Sequence, residues 1–342
     1  MIKVLIVDDS AVVRRISSRI LSSAGDIEVV GTAPDPYVAR DLIVTRQPDV
    51  VTLDVEMPRM DGITFLKKLM QHYPLPVVIV STLTTKGGEV ALEAMAAGAV
   101  EVICKPGNES SLHEMGEALI DAVRSAWLAR NRVRRGEGAR AAQQATAVHR
   151  SLAEATRQLI AIGASTGGTV AIETILQTMP PDTPGIVMVQ HMPAFFTRSF
   201  ADRLSRLCRI RVREAADGDL IEKGLALLAP GDRQMVVRSS PRGWMVGVLD
   251  GPRVSGHRPS VDVLFRSVAR AAGNKALGVI LTGMGADGAA GLAEMRKAGA
   301  HTLGQDEETS VVYGMPRAAF DLGAVEAQVP LQHMTQRILA AL

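Results

Sequence analysis

Short runs of aliphatic residues recur along this chain, each followed by a stretch whose apolar residues have helical spacing, and this alternation limits the fold more than any other feature. The run at 4–7 precedes an amphipathic stretch at 11–24, the run at 50–53 precedes 63–72, and the run at 77–80 precedes 89–97. Runs without polar alternation suit strands buried on both faces, as in a parallel sheet covered by helices. Aromatic residues make up only 3% of the chain against 47% hydrophobic overall, so Ala, Val, Leu and Ile must build the core. That balance favours an α/β fold over an aromatic-rich sandwich. Turns are expected at Met57-Pro58-Arg59-Met60-Asp61-Gly62 and Lys105-Pro106-Gly107.

A chain of 342 residues is longer than one core usually serves, so two domains are expected. The first rhythm predicts a doubly wound parallel domain over 1–122. Composition then shifts to Arg, Ala, Gln, Gly and Glu, with Arg130, Arg132, Arg134, Arg135 and Arg140 crowded together, which reads as a polar, partly helical linker over 123–157. A solvated tether explains those arginines more simply than an acidic docking partner does. A second rhythm over 158–342, with strand-like runs at 159–162, 186–189, 225–228, 236–237, 244–249, 276–281 and 300–303, predicts another α/β domain with a mixed, mostly parallel sheet.

The net charge of +2 gives no footprint for nucleic acid or for a membrane surface. No apolar run approaches the ~20 residues of a membrane span, and Met1-Ile2-Lys3 leads into a strand rather than a secretory signal. Cys104 and Cys208 fall in different domains and match no metal-ligand spacing, which fits small buried thiols in a reduced cytoplasmic setting.

In the first domain Asp8 and Asp9 follow the first aliphatic run, Asp54 follows the second, Ser81 the third, and Lys105 follows Val102-Ile103-Cys104. In a parallel sheet all of these converge at the carboxyl edge. Clustered carboxylates call for a hard divalent cation, and Mg²⁺ is the usual choice beside a phosphoryl group, which Ser81 and Lys105 suit. This set resembles the response-regulator receiver family, with its flavodoxin-like fold. The resemblance implies that Asp54 is the phosphoacceptor, that Asp8, Asp9, Asp54 and the backbone carbonyl of Glu56 hold Mg²⁺, and that Ser81 and Lys105 sense the phosphoryl group.

In the second domain Gly163-Ala164-Ser165-Thr166-Gly167 ends a strand in a glycine-rich turn before a helix. The pattern fits a nucleophile elbow, a phosphate-binding turn or a structural tight turn. Another strand delivers His191, and a third ends in a glycine-rich loop carrying Asp287, so nucleophile, base and orienting acid are all on offer. The order Ser, His, Asp departs from that of α/β-hydrolases. His72, His113, His149, His257, His301 and His333 compete with His191, and a lipase-like assignment would need His301 or His333 as the base.

Ser165-Thr166-Gly167-Gly168, Gln190-His191-Met192-Pro193, Leu228-Ala229-Pro230-Gly231, Arg258-Pro259-Ser260-Val261-Asp262, Leu281-Thr282-Gly283-Met284-Gly285-Ala286-Asp287-Gly288 and Tyr313-Gly314-Met315-Pro316 together resemble the chemotaxis protein-glutamate methylesterase and glutamine deamidase family. The family commonly places a histidine before the methionine of Gln234-Met235, a departure that weakens any role for that loop and leaves Ser165, His191 and Asp287 untouched. The resemblance implies a serine hydrolase in which Ser165, His191 and Asp287 are catalytic and backbone N–H groups at Met284 and Thr166 form the oxyanion hole, with no cofactor for the esterase reaction. It implies methylated chemoreceptor cytoplasmic domains as substrate and a chemotaxis histidine kinase as phosphodonor. From the two-domain architecture, the unphosphorylated receiver is expected to pack over the mouth around Ser165 and phosphorylation of Asp54 to open it. A catalytically silent scaffold and a DNA-binding regulator are the competing readings. The Ser165, His191, Asp287 set argues against the first, and the missing basic helix-turn-helix pattern against the second.

Overall fold

The computed structural model describes residues 1–57, 60–81, 85–105, 111–135 and 158–342. The expected turn residues Pro58, Arg59, Pro106 and Gly107, and the linker from 136 to 157, lie outside the described residues. The chain divides into compact units of Met1–Arg140 and Ala141–Leu342.

The first unit contains β1 (Ile2–Val7), α1 (Ala11–Ser23), β2 (Ile27–Ala33), α2 (Pro36–Arg46), β3 (Val50–Asp54), α3 (Gly62–His72), β4 (Val77–Ser81), α4 (Thr85–Ala96), β5 (Glu101–Cys104) and α5 (Ser111–Arg135). Its strands pair in parallel in the order β2-β1-β3-β4-β5, the flavodoxin-like winding expected. β3 and β4 are buried at every position, which is why their sequences carry no alternation. Short polar residues start the helices: Ser10, Asp35 and Asp61 each accept backbone N–H bonds at the first turn of α1, α2 and α3. α5 runs on to Arg135, beyond residue 122, because Val123, Ala126 and Ala129 continue its buried face.

The second unit contains β6 (Leu159–Ala164), α6 (Gly168–Gln177), β7 (Gly185–Gln190), α7 (Ala194–Leu207), β8 (Arg211–Glu214), β9 (Leu225–Leu228), β10 (Gln234–Ser240), β11 (Gly243–Leu249), α8 (Val261–Ala272), β12 (Ala276–Ile280), α9 (Ala289–Lys297), β13 (His301–Gln305), α10 (Met315–Asp321), β14 (Ala327–Val329) and α11 (Leu331–Ala340). Seven strands pair in the order β14-β13-β12-β6-β7-β9-β8, all in parallel. The sheet is therefore not mixed. The antiparallel ladder is a separate hairpin of β10 and β11, whose inner residues Met235, Val237 and Val246 pack into the same core as Leu264 and Val268 of α8.

The strand order reverses at β1 in the first sheet and at β6 in the second, where neighbours on either side lead away in opposite directions. Such a switch point leaves a crevice at the carboxyl edge, because the connecting helices depart to opposite faces. Asp8 lies just beyond β1 and Ser165 just beyond β6. Among the described residues no helix is long and apolar enough to cross a membrane.

Candidate functional site

The crevice of the first unit gathers the expected residues. Asp8 and Asp54 are buried, and Asp8, Asp9 and Asp54 each offer a carboxylate oxygen within 4.8 Å of the others. Lys105 Nζ lies 2.8 Å from Asp8 Oδ2 and 2.7 Å from Asp54 Oδ2. Glu56, named for its carbonyl, donates its backbone N–H to Asp54 Oδ1 at 3.2 Å. Ser81 is fully buried, and its hydroxyl has no hydrogen-bond partner among the described residues. An all-oxygen donor set with surplus negative charge fits a hard divalent cation, and an orphaned hydroxyl beside a lysine fits phosphoryl oxygens. Burial pushes the Asp54 carboxyl up, and the Asp8 charge adds to this, so the part of Lys105 that Asp54 receives does not restore its ordinary acidity. Burial works against the Lys105 ammonium too, but two carboxylates outweigh it and hold its proton more tightly than usual.

The second crevice is built around Ser165. Parallel pairing sets Ala164 of β6 opposite Gln190 of β7, so Ser165 and His191 leave adjacent strands at the same level. The turn is pinned on both sides. Ser165 N–H donates to the Thr282 carbonyl at 3.0 Å, while the Ser165 carbonyl accepts from Gly168 N at 2.7 Å and from Gln190 Nε2 at 2.9 Å. Thr282 Oγ1 donates to the Thr166 carbonyl at 2.9 Å. Gly167 has φ of 80°, and a Cβ there would sit 2.6 Å from Val311 Cβ, so conformation and space both require glycine. Gly283 lets the next loop close on the serine: a Cβ there would come within 2.7 Å of Ser165 Cβ. Met284 follows directly.

His191 Nε2 is 2.9 Å from Asp287 Oδ2. Asp287, 2% exposed, also accepts from Ser260 Oγ at 2.8 Å, Val261 N at 2.7 Å and Asp262 N at 3.0 Å. Those donors are the cap and first turn of α8, where the helix dipole favours negative charge. Burial alone would push this carboxyl up, but His191, Ser260 and the Asp262 N–H together hold it below the ordinary aspartate range. An ionised carboxylate only accepts, so the proton of a neutral His191 ring resides on Nε2. Nδ1 is then the basic nitrogen, and it is buried without a hydrogen-bond partner among the described residues.

His301 and His333 lack this setting, and His149 lies outside the described residues. His301 Nδ1 is 2.6 Å from Glu326 Oε2 at the start of β13, and His333 is exposed on α11. Sequence reasoning treated His257 only as a rival, yet its ring stacks on His191 with centroids 3.7 Å apart and planes at 10°. Gln234, in the loop that departs from the family pattern, is placed close by. It is buried, accepts from Ser260 N at 2.9 Å, and donates to the carbonyls of Pro252 at 3.0 Å and His257 at 3.3 Å. A residue other than histidine therefore still ties this loop to the segment that holds Asp287. The Arg258-Pro259-Ser260 motif was the available signal for the segment, but nothing local in it marks His257.

The CheB methylesterase family model matches residues 160–338, and the response regulator receiver domain model matches residues 4–117. Protein-glutamate methylesterase/protein-glutamine glutaminase 2 of Syntrophus aciditrophicus is 55% identical over 338 residues, covering 99% of this chain and 98% of that protein. Protein-glutamate methylesterase/protein-glutamine glutaminase 4 of Anaeromyxobacter dehalogenans is 56% identical over 343 residues, covering 99% and 94%. The crystal structure of the Thermotoga maritima CheB methylesterase catalytic domain matches with a TM-score of 0.53 at 31% identity, covering 54% of this chain and 99% of that one.

Proposed function

We propose a function for this chain from the fact that it belongs to the CheB methylesterase family and carries a receiver domain ahead of the esterase domain: it is a phosphorylation-controlled protein-glutamate methylesterase and protein-glutamine glutaminase acting in chemotaxis adaptation. The observation that carries the reading is that His191, one residue beyond the strand paired with that of Ser165, lies 2.9 Å from a buried, multiply bonded Asp287.

Ser165 Oγ attacks the side-chain carbonyl of a glutamate γ-methyl ester, and His191 Nδ1 takes the hydroxyl proton while Nε2–H stays on Asp287. Backbone N–H groups at Thr166 and Met284 are assigned to the developing oxyanion, where one donor is worth about 3 kcal/mol. The tetrahedral intermediate collapses with proton return from His191, methanol leaves, and a glutamyl ester of Ser165 remains. Water, deprotonated by His191, then releases glutamate. On a glutamine side chain the same steps release ammonia.

In the receiver, Asp54 takes the phosphoryl group from a chemotaxis histidine kinase. Asp8, Asp9, Asp54 and the Glu56 carbonyl would hold Mg²⁺, which would supply charge neutralisation for that transfer. Lys105 and Ser81 would receive the phosphoryl oxygens. The substrates are methylated cytoplasmic domains of chemoreceptors, and the chain works in the cytoplasm.

Methanol release from membranes bearing methylated receptors, with and without a small phosphodonor, tests the reading. Wild type should release methanol faster when phosphorylated. Ser165→Ala should release none above background, and unchanged release or signalling by that variant would leave a scaffold as the better account.

A further inference from the structure

Resting on the esterase reading above, we propose that His257 is a positioning residue: its ring, stacked on His191, fixes the plane of the general base and with it the direction of Nδ1. The need for it follows from how His191 is held. One hydrogen bond, Nε2 to Asp287 at 2.9 Å, fixes the far end of a ring whose near end is held by Cβ, and it leaves rotation about the line joining the two. Nδ1 has no partner among the described residues to aim it. A flat surface 3.7 Å away and within 10° of parallel removes that rotation, because tilting the imidazole would drive its edge into the other ring.

His257 is itself held. Its N–H and carbonyl both bond to Val254 at 3.0 Å, and its carbonyl also accepts from the buried Gln234 amide at 3.3 Å. The same glutamine accepts from Ser260 N, whose hydroxyl bonds Asp287. One buried side chain thus ties together the residue that covers the imidazole and the residue that anchors its acid. Catalysis needs reacting groups aligned within fractions of an ångström, which is what such a brace supplies.

The charge of the brace matters as well, since His191 becomes cationic when it takes the serine proton. Burial holds the His257 imidazole down to about 4, with His191 and Arg253 pushing the same way and Asp287 opposing. His257 is therefore neutral at working pH and sets no second positive charge against the imidazolium.

The test uses the full-length protein and methylated receptor membranes, with kcat and KM for methanol release taken from initial rates. His257→Phe keeps a flat ring without nitrogens, His257→Leu fills the space without one, and thermal unfolding checks that each variant is folded. Phe should retain kcat within about threefold, whereas Leu should lower it by about tenfold to hundredfold with KM within about twofold. Leu matching wild type would overturn the proposal, as would Phe falling as low as Leu, since a ring nitrogen would then be in use. A loss confined to KM would overturn it too, making His257 a binding residue. Ser165→Ala run alongside separates the readings: activity surviving in that variant defeats the esterase assignment, whereas a dead Ser165→Ala with a fully active His257→Leu defeats the brace alone.

Discussion

Asp54 and Asp287 are both buried carboxylates beside the switch point of a parallel sheet, yet their surroundings move their acidities in opposite directions. Asp54 shares a single lysine with Asp8 and accepts one backbone N–H from Glu56, too little to offset burial, so its proton affinity rises. Asp287 accepts from Ser260, Val261, Asp262 and His191, which more than offsets burial. The first carboxylate is left wanting a cation or a new bond, as suits a group that is to be modified. The second is complete and suits a group that stays ionised while it orients a neighbour. Burial alone says little about what an acid does; the count of donors decides.

The largest effect that would break this contrast is expected at Asp287. Asp287→Asn should lower kcat for methanol release by about 10³- to 10⁴-fold with KM little changed, because an amide can donate to His191 and favour the wrong tautomer. A variant within tenfold of wild type in a steady-state assay would mean that the carboxylate is structural.

Ser260→Ala sharpens the comparison by removing one donor. The expected loss is about tenfold in kcat, the worth of one hydrogen bond to a charged group, together with about 1 kcal/mol of stability from the lost cap of α8. Rates and chemical denaturation of the same preparation would check both.

The smallest effect concerns pH. Asp287, with its folded value depressed, contributes stability that is present above the ordinary value of 3.8 and is lost as pH falls through the folded value. Asp54, with its folded value raised, costs stability at neutral pH, and that cost disappears as pH falls through a folded value above 3.8. Denaturant titrations from pH 7 downward should therefore show Asp287→Asn destabilising the esterase unit and Asp54→Asn stabilising the receiver, each on the order of 1 kcal/mol at neutrality. Both differences should shrink on acidification, Asp54→Asn first. Asp54→Asn destabilising the receiver at pH 7 would erase the contrast.

Much of this architecture was legible in the sequence because central strands are buried on both faces. The 77–80, 186–189 and 225–228 runs are continuously apolar for that reason, and the 50–53 run is interrupted only by Thr52. Two edge strands escaped. β2 and β8 lie at sheet edges, where half of each strand meets solvent, so Glu28 and Thr32, or Arg211 and Arg213, interrupt the apolar signal. The runs in β10 and β11 read as members of one mixed sheet but form a hairpin of their own, since alternation reveals a half-buried face and not the partner that covers it.

By itself, the sequence determined which residues stand at strand ends and hence which acids, hydroxyls and histidines could reach a common edge, because strand burial is written into local residue pattern. Tertiary structure alone decided which nitrogen of His191 faces Asp287, that His257 lies against that ring, and which way each acidity moves. Those outcomes depend on contacts between segments far apart in the chain, 96 residues for His191 and Asp287, and each is set by the whole collection of donors and charges that folding brings around one atom.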